Sequence, residues 1–188
     1  VITFDERNLL YNGEFEDGSK QPDQWKINLA TGGRRKCPLV GDCYYVFNAN
    51  QPTVSVLKQT RNIWGVIPGD LLDVSTLVSG NGLASGAKLK IKVIYEDGSS
   101  APLVVKFPKV NLPGEQLVSE QIIVSGIVDK LVAKVSRNPG TGKLNVDEIR
   151  VIHIIPDIFR DVRNTISVQS NVMIDKAAPR ALPTAPSP

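Results

Sequence analysis

Apolar and polar residues alternate through most of this chain. Leu89, Ile91, Val93 and Tyr95 interleave with Lys88, Lys90 and Lys92, and Glu96-Asp97-Gly98 follows. Period-two alternation closed by an Asp-Gly turn marks a half-buried strand entering a hairpin. Residues 103–107 predict the next strand, ended by Pro108, and residues 120–125 and 129–136 predict two more on either side of Gly126. In the second of these, Leu131, Ala133 and Val135 share one face, which is the expected core face. The turn Asn138-Pro139-Gly140-Thr141-Gly142 leads into 143–155, the longest strand-like run. Residues 44–49, 53–59 and 73–79 read the same way, and no ten-residue window carries a helical stripe. The pattern predicts an all-β fold, two antiparallel sheets packed face to face as a β-sandwich, with extended N- and C-terminal segments.

The same pattern divides the chain. Residues 1–7 form an N-terminal extension and residues 8–155 the sandwich. Residues 156–176 make a connector with a further β-prone run at 165–174. The Pro/Ala-rich tail at 177–188 suits polyproline II and neither a helix nor a central strand. The spare strand at 165–174, or the run Val-Ile-Thr-Phe-Asp at 1–5, is suited to cover an edge of its own domain or to join a neighbour's sheet. Repeated head to tail, such an exchange builds an open filament.

Composition narrows the class. The chain has 188 residues and 20.4 kDa, with 41% hydrophobic and 22% charged residues, the balance of one globular domain. No apolar run approaches the ~20 residues of a membrane-spanning helix. The net charge is +3 and the sequence pI 8.9, with Lys and Arg scattered, so nucleic acid is not an expected partner. The sequence opens on Val1 rather than Met, which reads as a processed or trimmed start. Cys37 and Cys43 flank Pro38-Leu39-Val40-Gly41-Asp42, a segment able to bring two sulfurs together. A disulfide there implies an extracellular protein; the alternative is two separate buried thiols.

Catalytic chemistry finds little support. His153 is the only histidine and lies in an apolar strand, so it suits a satisfied strand residue better than a base. No nucleophile motif accompanies it. Asp147-Glu148 and Glu96-Asp97 are adjacent pairs, not opposed carboxylates. Pro139-Gly140-Thr141-Gly142-Lys143 lacks the spacing and the Ser/Thr of a phosphate loop. The expectation is a protein that is not an enzyme.

The string Asn8-Leu9-Leu10-Tyr11-Asn12-Gly13-Glu14-Phe15-Glu16-Asp17-Gly18, followed by Trp25, resembles the opening of bacterial jelly-roll carbohydrate-binding modules of families 4, 9 and 22, with a galactose-binding-like sandwich. Gly41-Asp42-Cys43-Tyr44-Tyr45-Val46-Phe47, Gln59-Thr60, Pro68-Gly69-Asp70, Tyr95-Glu96-Asp97-Gly98-Ser99 and Val146-Asp147-Glu148-Ile149 continue the likeness in the family's order, over about residues 8 to 155. The resemblance implies a structural calcium between the first and last strands, held by Glu16 and Asp147. Phe15 and Trp25 belong to the fold signature and are expected in the core.

A sugar site on such a fold is a cleft or sheet face lined with aromatic rings and polar side chains. Trp64, flanked by polar and loop-forming residues, is the best exposed aromatic. Tyr44 and Tyr45 are adjacent, so on a strand one faces inward and the other outward. A platform of Trp64 with one of these tyrosines, assisted by Arg61 or Gln59, is the candidate site for a polysaccharide. Two functions are then expected of an extracellular or cell-surface protein. The first is a structural subunit of a fibre or surface assembly, self-associating through exchanged terminal strands. The alternative is a glycan-binding module, free-standing or appended to a larger secreted enzyme or adhesin.

Overall fold

The computed structural model describes residues 5–28, 33–39, 41–50, 52–81, 86–108 and 112–156. The expected strand at 165–174, the tail at 177–188 and most of the 1–5 run lie outside the described residues. Eleven strands and no helix occur among the described ones: β1 (Asp5–Asn8), β2 (Lys26–Ile27), β3 (Arg34–Lys36), β4 (Tyr44–Phe47), β5 (Ser55–Asn62), β6 (Leu71–Asn81), β7 (Ala87–Tyr95), β8 (Ser100–Lys106), β9 (Leu112–Ile123), β10 (Val128–Arg137) and β11 (Lys143–Ile154). They form two antiparallel sheets. The first has the order β3-β4-β11-β6-β9, with β1 also paired to β11; the second has the order β2-β5-β10-β7-β8. This is the expected jelly-roll sandwich.

Alternation places the core as the pattern predicts. Leu89, Ile91 and Val93 of β7 pair with Val135, Ala133 and Leu131 of β10, and all six are fully buried. From the facing sheet, Leu72, Val74 and Val78 of β6 and Leu144, Val146 and Val151 of β11 complete the same cluster. The 96–99 hairpin forms as expected, with Gly98 at φ 83° and the Ser99 N–H donating to Asp97 Oδ1 at 2.8 Å. Two strands start earlier than the pattern suggests. β8 begins at Ser100 and contains Pro102; β9 begins at Leu112 and contains Pro113. Both are edge strands, where proline and charge are tolerated because one side of the ladder is unpaired.

The Asn8–Gly18 string plugs one side of the core. Asn8 bridges to β11: its Nδ2 donates to Ile149 O at 2.7 Å and its Oδ1 accepts the Val151 N–H at 2.9 Å. Asn12 adopts a positive φ of 47°, and its side chain ties the backbone of Asp17 to that of Asp23. Trp25 is wholly buried, and its indole N–H is shared by the carbonyls of Tyr11 and Asn12. Phe15 packs against Trp25 and Tyr45 at centroid distances of 5.6 and 6.3 Å. A Cβ on Gly13 would fall 2.1 Å from the carbonyl oxygen of Ile149, so only glycine permits this approach.

Arg137, at the end of β10, is the one wholly buried charge among the largest buried side chains. It has no carboxylate partner among the described interactions. Its guanidinium donates instead to the carbonyls of Phe47, Asn48, Gly140, Thr141 and Gly142. Desolvation lowers its pKa, yet an arginine stays protonated. This cation therefore joins the β10–β11 turn to the end of β4. Arg137→Ala is expected to lower the unfolding free energy by ~3 kcal/mol, because several buried carbonyls lose their donor together. Urea denaturation measures the loss.

Candidate functional site

The outer face of the first sheet carries the candidate site, and a bulge in β11 sets it. Register between β11 and β6 shifts between Asp147 and Arg150, and Glu148 at the shift has φ 45°. Before the shift, Val146 faces the core, so Asn145 and Asp147 face outward; they pair across β6 with Ser79 and Leu77. Tyr44 of β4, Glu115 of β9 and the loop residues Pro38 and Asp42 join them around a cavity of about 280 Å³. That is near the lower end of small-ligand clefts.

The polar groups in this cleft are held from behind. Asn145 Nδ2 donates to Ser79 Oγ at 3.1 Å, while its buried Oδ1 has no hydrogen-bond partner among the described residues. Thr76 Oγ1 donates to the Asp147 carbonyl at 2.7 Å, and Asp147 Oδ1 accepts the Glu148 N–H at 2.7 Å. Burial pushes the Asp147 carboxyl up to about 7, with the charges of Glu148, Glu115 and Glu16 adding to the effect and the Glu148 N–H opposing it. The Cys37–Cys43 disulfide closes the loop that brings Pro38 and Asp42 to the cleft. Glu16 steadies the same loop, its carboxylate accepting the N–H groups of Gly41 at 3.2 Å and Cys43 at 3.0 Å.

The two residues expected to hold calcium have defined partners. The Glu16 carboxylate is occupied by two backbone donors, and Asp147 presents its carboxyl to the cleft. The carbonyls of Phe15, Glu16 and Gly18 all receive hydrogen bonds from Arg35. No group of three or more His, Cys, Asp or Glu residues is arranged to hold a metal among the described residues. Glu16 and Asp147 thus each accept backbone N–H groups in this structure.

The aromatic platform is not assembled as expected. Tyr45 is the inward member of its pair: it is 1% exposed and stacks edge-on against Phe47 at 4.9 Å. Its neighbour Tyr44 takes the outward position. Gln59 is buried, its amide holding both the N–H and the carbonyl of Tyr11 at 2.8 Å. Arg61 lies 3.0 Å over the Tyr11 ring. Both residues secure the N-terminal plug and leave the platform. Trp64 is 83% exposed, as its flanks suggest. It lies between Ile63 and Val66, which bond to Asp129 and Val128, at the end of the sandwich where β6 begins. Tyr45 shares a row with Val146 and Val78, so Tyr44 is level with Leu77, six residues along β6 from Leu71 and roughly 20 Å away at the rise of a strand. The structure thus separates Trp64 from Tyr44.

Pattern reading passes over Asn145, Ser79, Leu77 and Glu115. The signal for the first was present: Asn145 and Asp147 are polar residues two apart in an apolar strand, hence on one solvent-facing side. His153 is buried and bonds Asp70 Oδ2 through Nε2 at 2.6 Å, away from the cleft, as a satisfied strand residue does.

At the level of sequence, no family model matches the chain and no curated protein matches it. Solved structures do match, at identities that speak to the fold alone. A family 16 carbohydrate-binding module aligns with a TM-score of 0.60 at 9% identity, over 77% of this chain and 99% of its own. TmCBM61, solved with β-1,4-galactotriose, aligns at 0.52 and 14%, over 77% and 97%. The enzymatically active domain of tailspike protein 4 of bacteriophage CBA120 aligns at 0.59 and 12%, over 79% of this chain. This chain corresponds to 21% of that tailspike chain, against nearly all of each binding module. A family 22 xylan-binding domain of Paenibacillus barcinonensis Xyn10C and a family 22 carbohydrate-binding module of Clostridium thermocellum Xyn10B match as well. The chain therefore has the β-sandwich fold seen in carbohydrate-binding modules of families 16, 22 and 61. The likeness is not specific to families 4 or 9. No helix among the described residues is long and apolar enough to cross a membrane.

Asp147 makes the cleft sensitive to pH. Its folded pKa of about 7 stands above the ~3.9 of an unfolded aspartate, so its contribution to stability is complete below about pH 4 and is lost as pH rises through 7. Asp147→Asn removes this dependence and keeps an acceptor for Glu148. The variant is expected to gain stability over the natural chain at pH 8 relative to pH 4.5, as urea midpoints at both pH values report.

Proposed function

We propose that the chain is a secreted glycan-binding module whose site is the cleft around Tyr44, Asn145 and Asp147. The carrying observation is one cavity lined by an outward tyrosine, an asparagine and an aspartate on a single sheet face, Tyr44, Asn145 and Asp147. A sugar offers both complements: C–H faces that stack on an aromatic ring and hydroxyls that donate to amide and carboxyl oxygens. Asp147, near half-protonation at neutral pH, is able to donate to or accept from a hydroxyl. The floor is a hydrogen-bonded sheet and one wall a disulfide-closed loop, so little ordering accompanies binding. The likeness to carbohydrate-binding modules supports the same reading, and the disulfide suits a place outside the cell or at its surface. The cleft alone does not select a particular polysaccharide.

Affinity electrophoresis through gels containing a panel of soluble plant and bacterial polysaccharides tests the site. Tyr44→Ala is expected to weaken retention about tenfold or more, equivalent to ~1.4 kcal/mol, with Trp64→Ala unchanged. The opposite ranking moves the site to the exposed indole at the other end of the sandwich.

A second reading, a subunit of an extracellular fibre or surface assembly, draws support from the edge of the first sheet. Among the described residues β9 has no neighbour on its outer side, and it exposes Leu117 (67%) and Ile123 (70%). A long edge strand offers its outer backbone groups to another strand. Ile154, Leu71 and Ile123 stand in one row, so β11 ends where a strand antiparallel to β9 would begin. That slot is about 14 Å from β11 at ordinary strand spacing. The connector at 156–164 is long enough to span that distance. Removing residues 165–188 is expected to leave a folded monomer where the full chain associates; light scattering after size exclusion distinguishes the two. A full chain that is itself monomeric excludes the assembly and leaves the binding reading intact.

A further inference from the structure

We propose that Arg35 is a built-in cation standing where the family resemblance implies calcium, so that this sandwich holds its N-terminal loop without bound metal. The loop after the plug turns sharply, and Phe15 takes a φ of 57°. This turn aims the carbonyls of Phe15, Glu16 and Gly18 toward one point. Arg35 occupies that point: Nε donates to Phe15 O, Nη2 to Glu16 O, and Nη1 to Gly18 O at 2.8 Å. Nη2 also lies 3.1 Å from Cys43 Sγ, and the Arg35 backbone N–H donates to Lys20 O at 2.8 Å. Pairing of β3 with β4, Arg35 opposite Tyr45, fixes the side chain's origin.

Convergent carbonyl oxygens are what a hard divalent cation takes as ligands. A guanidinium presents several N–H donors in a rigid fork and meets the same oxygens with a permanent charge. The two solutions exclude one another, because a divalent ion among these carbonyls would sit against the guanidinium. The remaining expected ligands have other tasks. Glu16 receives the N–H groups of Gly41 and Cys43, the Asp147 carbonyl receives Thr76, and the Asp147 carboxyl lines the cleft. Arg35 thereby ties together the N-terminal loop, β3 and the disulfide loop without a metal.

Thermal unfolding of the full chain in excess EDTA and in millimolar CaCl2 is the test. The midpoint is expected to agree within about 1 °C between the two, since a ligand that does not bind cannot stabilise. Arg35→Met is expected to lower it by about 5 °C or more, and Arg35→Lys, which keeps the charge but not the fork, by less. A midpoint raised several degrees by calcium in the natural chain, and no longer raised in Glu16→Gln, overturns the proposal. So does an Arg35→Met variant as stable as the parent. Should Arg35→Met fail to fold, the EDTA and CaCl2 comparison on the natural chain and on Arg35→Lys still decides.

Discussion

The structure depends on the bulge in β11. An irregularity in a central strand frees backbone groups that must find partners inside the protein. Here the N-terminal plug supplies them: Ile149 donates to the Gly13 carbonyl and accepts from Asn8, and Val151 exchanges bonds with Leu9 and Asn8. This docking brings Phe15 and Trp25 over the core and requires glycine at position 13. The same irregularity keeps Ile149 and Val151 inside while Asn145 and Asp147 remain outside. One backbone feature thus seals the sandwich and exposes the polar pair of the cleft.

Buried charge is managed by the backbone. The two terminal nitrogens of Arg137 donate to carbonyls at the β10–β11 turn and the end of β4, places where the ladders run out. Removing water from a guanidinium is costly, but a set of fixed dipoles aimed at it compensates in the low-dielectric interior. The arginine in turn orders a glycine-rich turn that has no side chains of its own to pack. Local weakness in the sequence is thereby offset by a contact across the domain.

The cleft inherits this rigidity. Its floor is made of paired strands, Asn145 is oriented by Ser79, and Asp147 is held at both its carbonyl and its carboxyl. The wall carrying Pro38 and Asp42 is closed by a disulfide and steadied by Glu16. A site built on such supports presents its groups in a fixed arrangement, the condition for selective recognition of a ligand rich in hydroxyls.

Alternation along the sequence was enough to mark a two-sheet β fold and most of its core. Alternation is a local property, and a buried face repeats it residue by residue, so Leu89, Ile91, Val93, Leu131, Ala133 and Val135 were legible. The hairpin at 96–99 was legible too, because its turn needs a glycine at positive φ. The close spacing of Cys37 and Cys43 likewise anticipated their bond. Edge strands were less so: Pro102, Pro113 and the glutamates of β9 are acceptable because, among the described residues, no neighbour pairs with one side, and neighbour order is not written locally. The composition of the cleft was decided by tertiary structure alone. Tyr44, Ser79, Glu115 and Asn145 come from four strands, and only the register across the sheet brings them together. Tertiary structure also decided that Gln59 and Arg61 serve the N-terminal plug, and that Trp64 stands at the far end from Tyr44. A side chain's type tells what it can bond, while its partner is set by where the whole chain places the other atom.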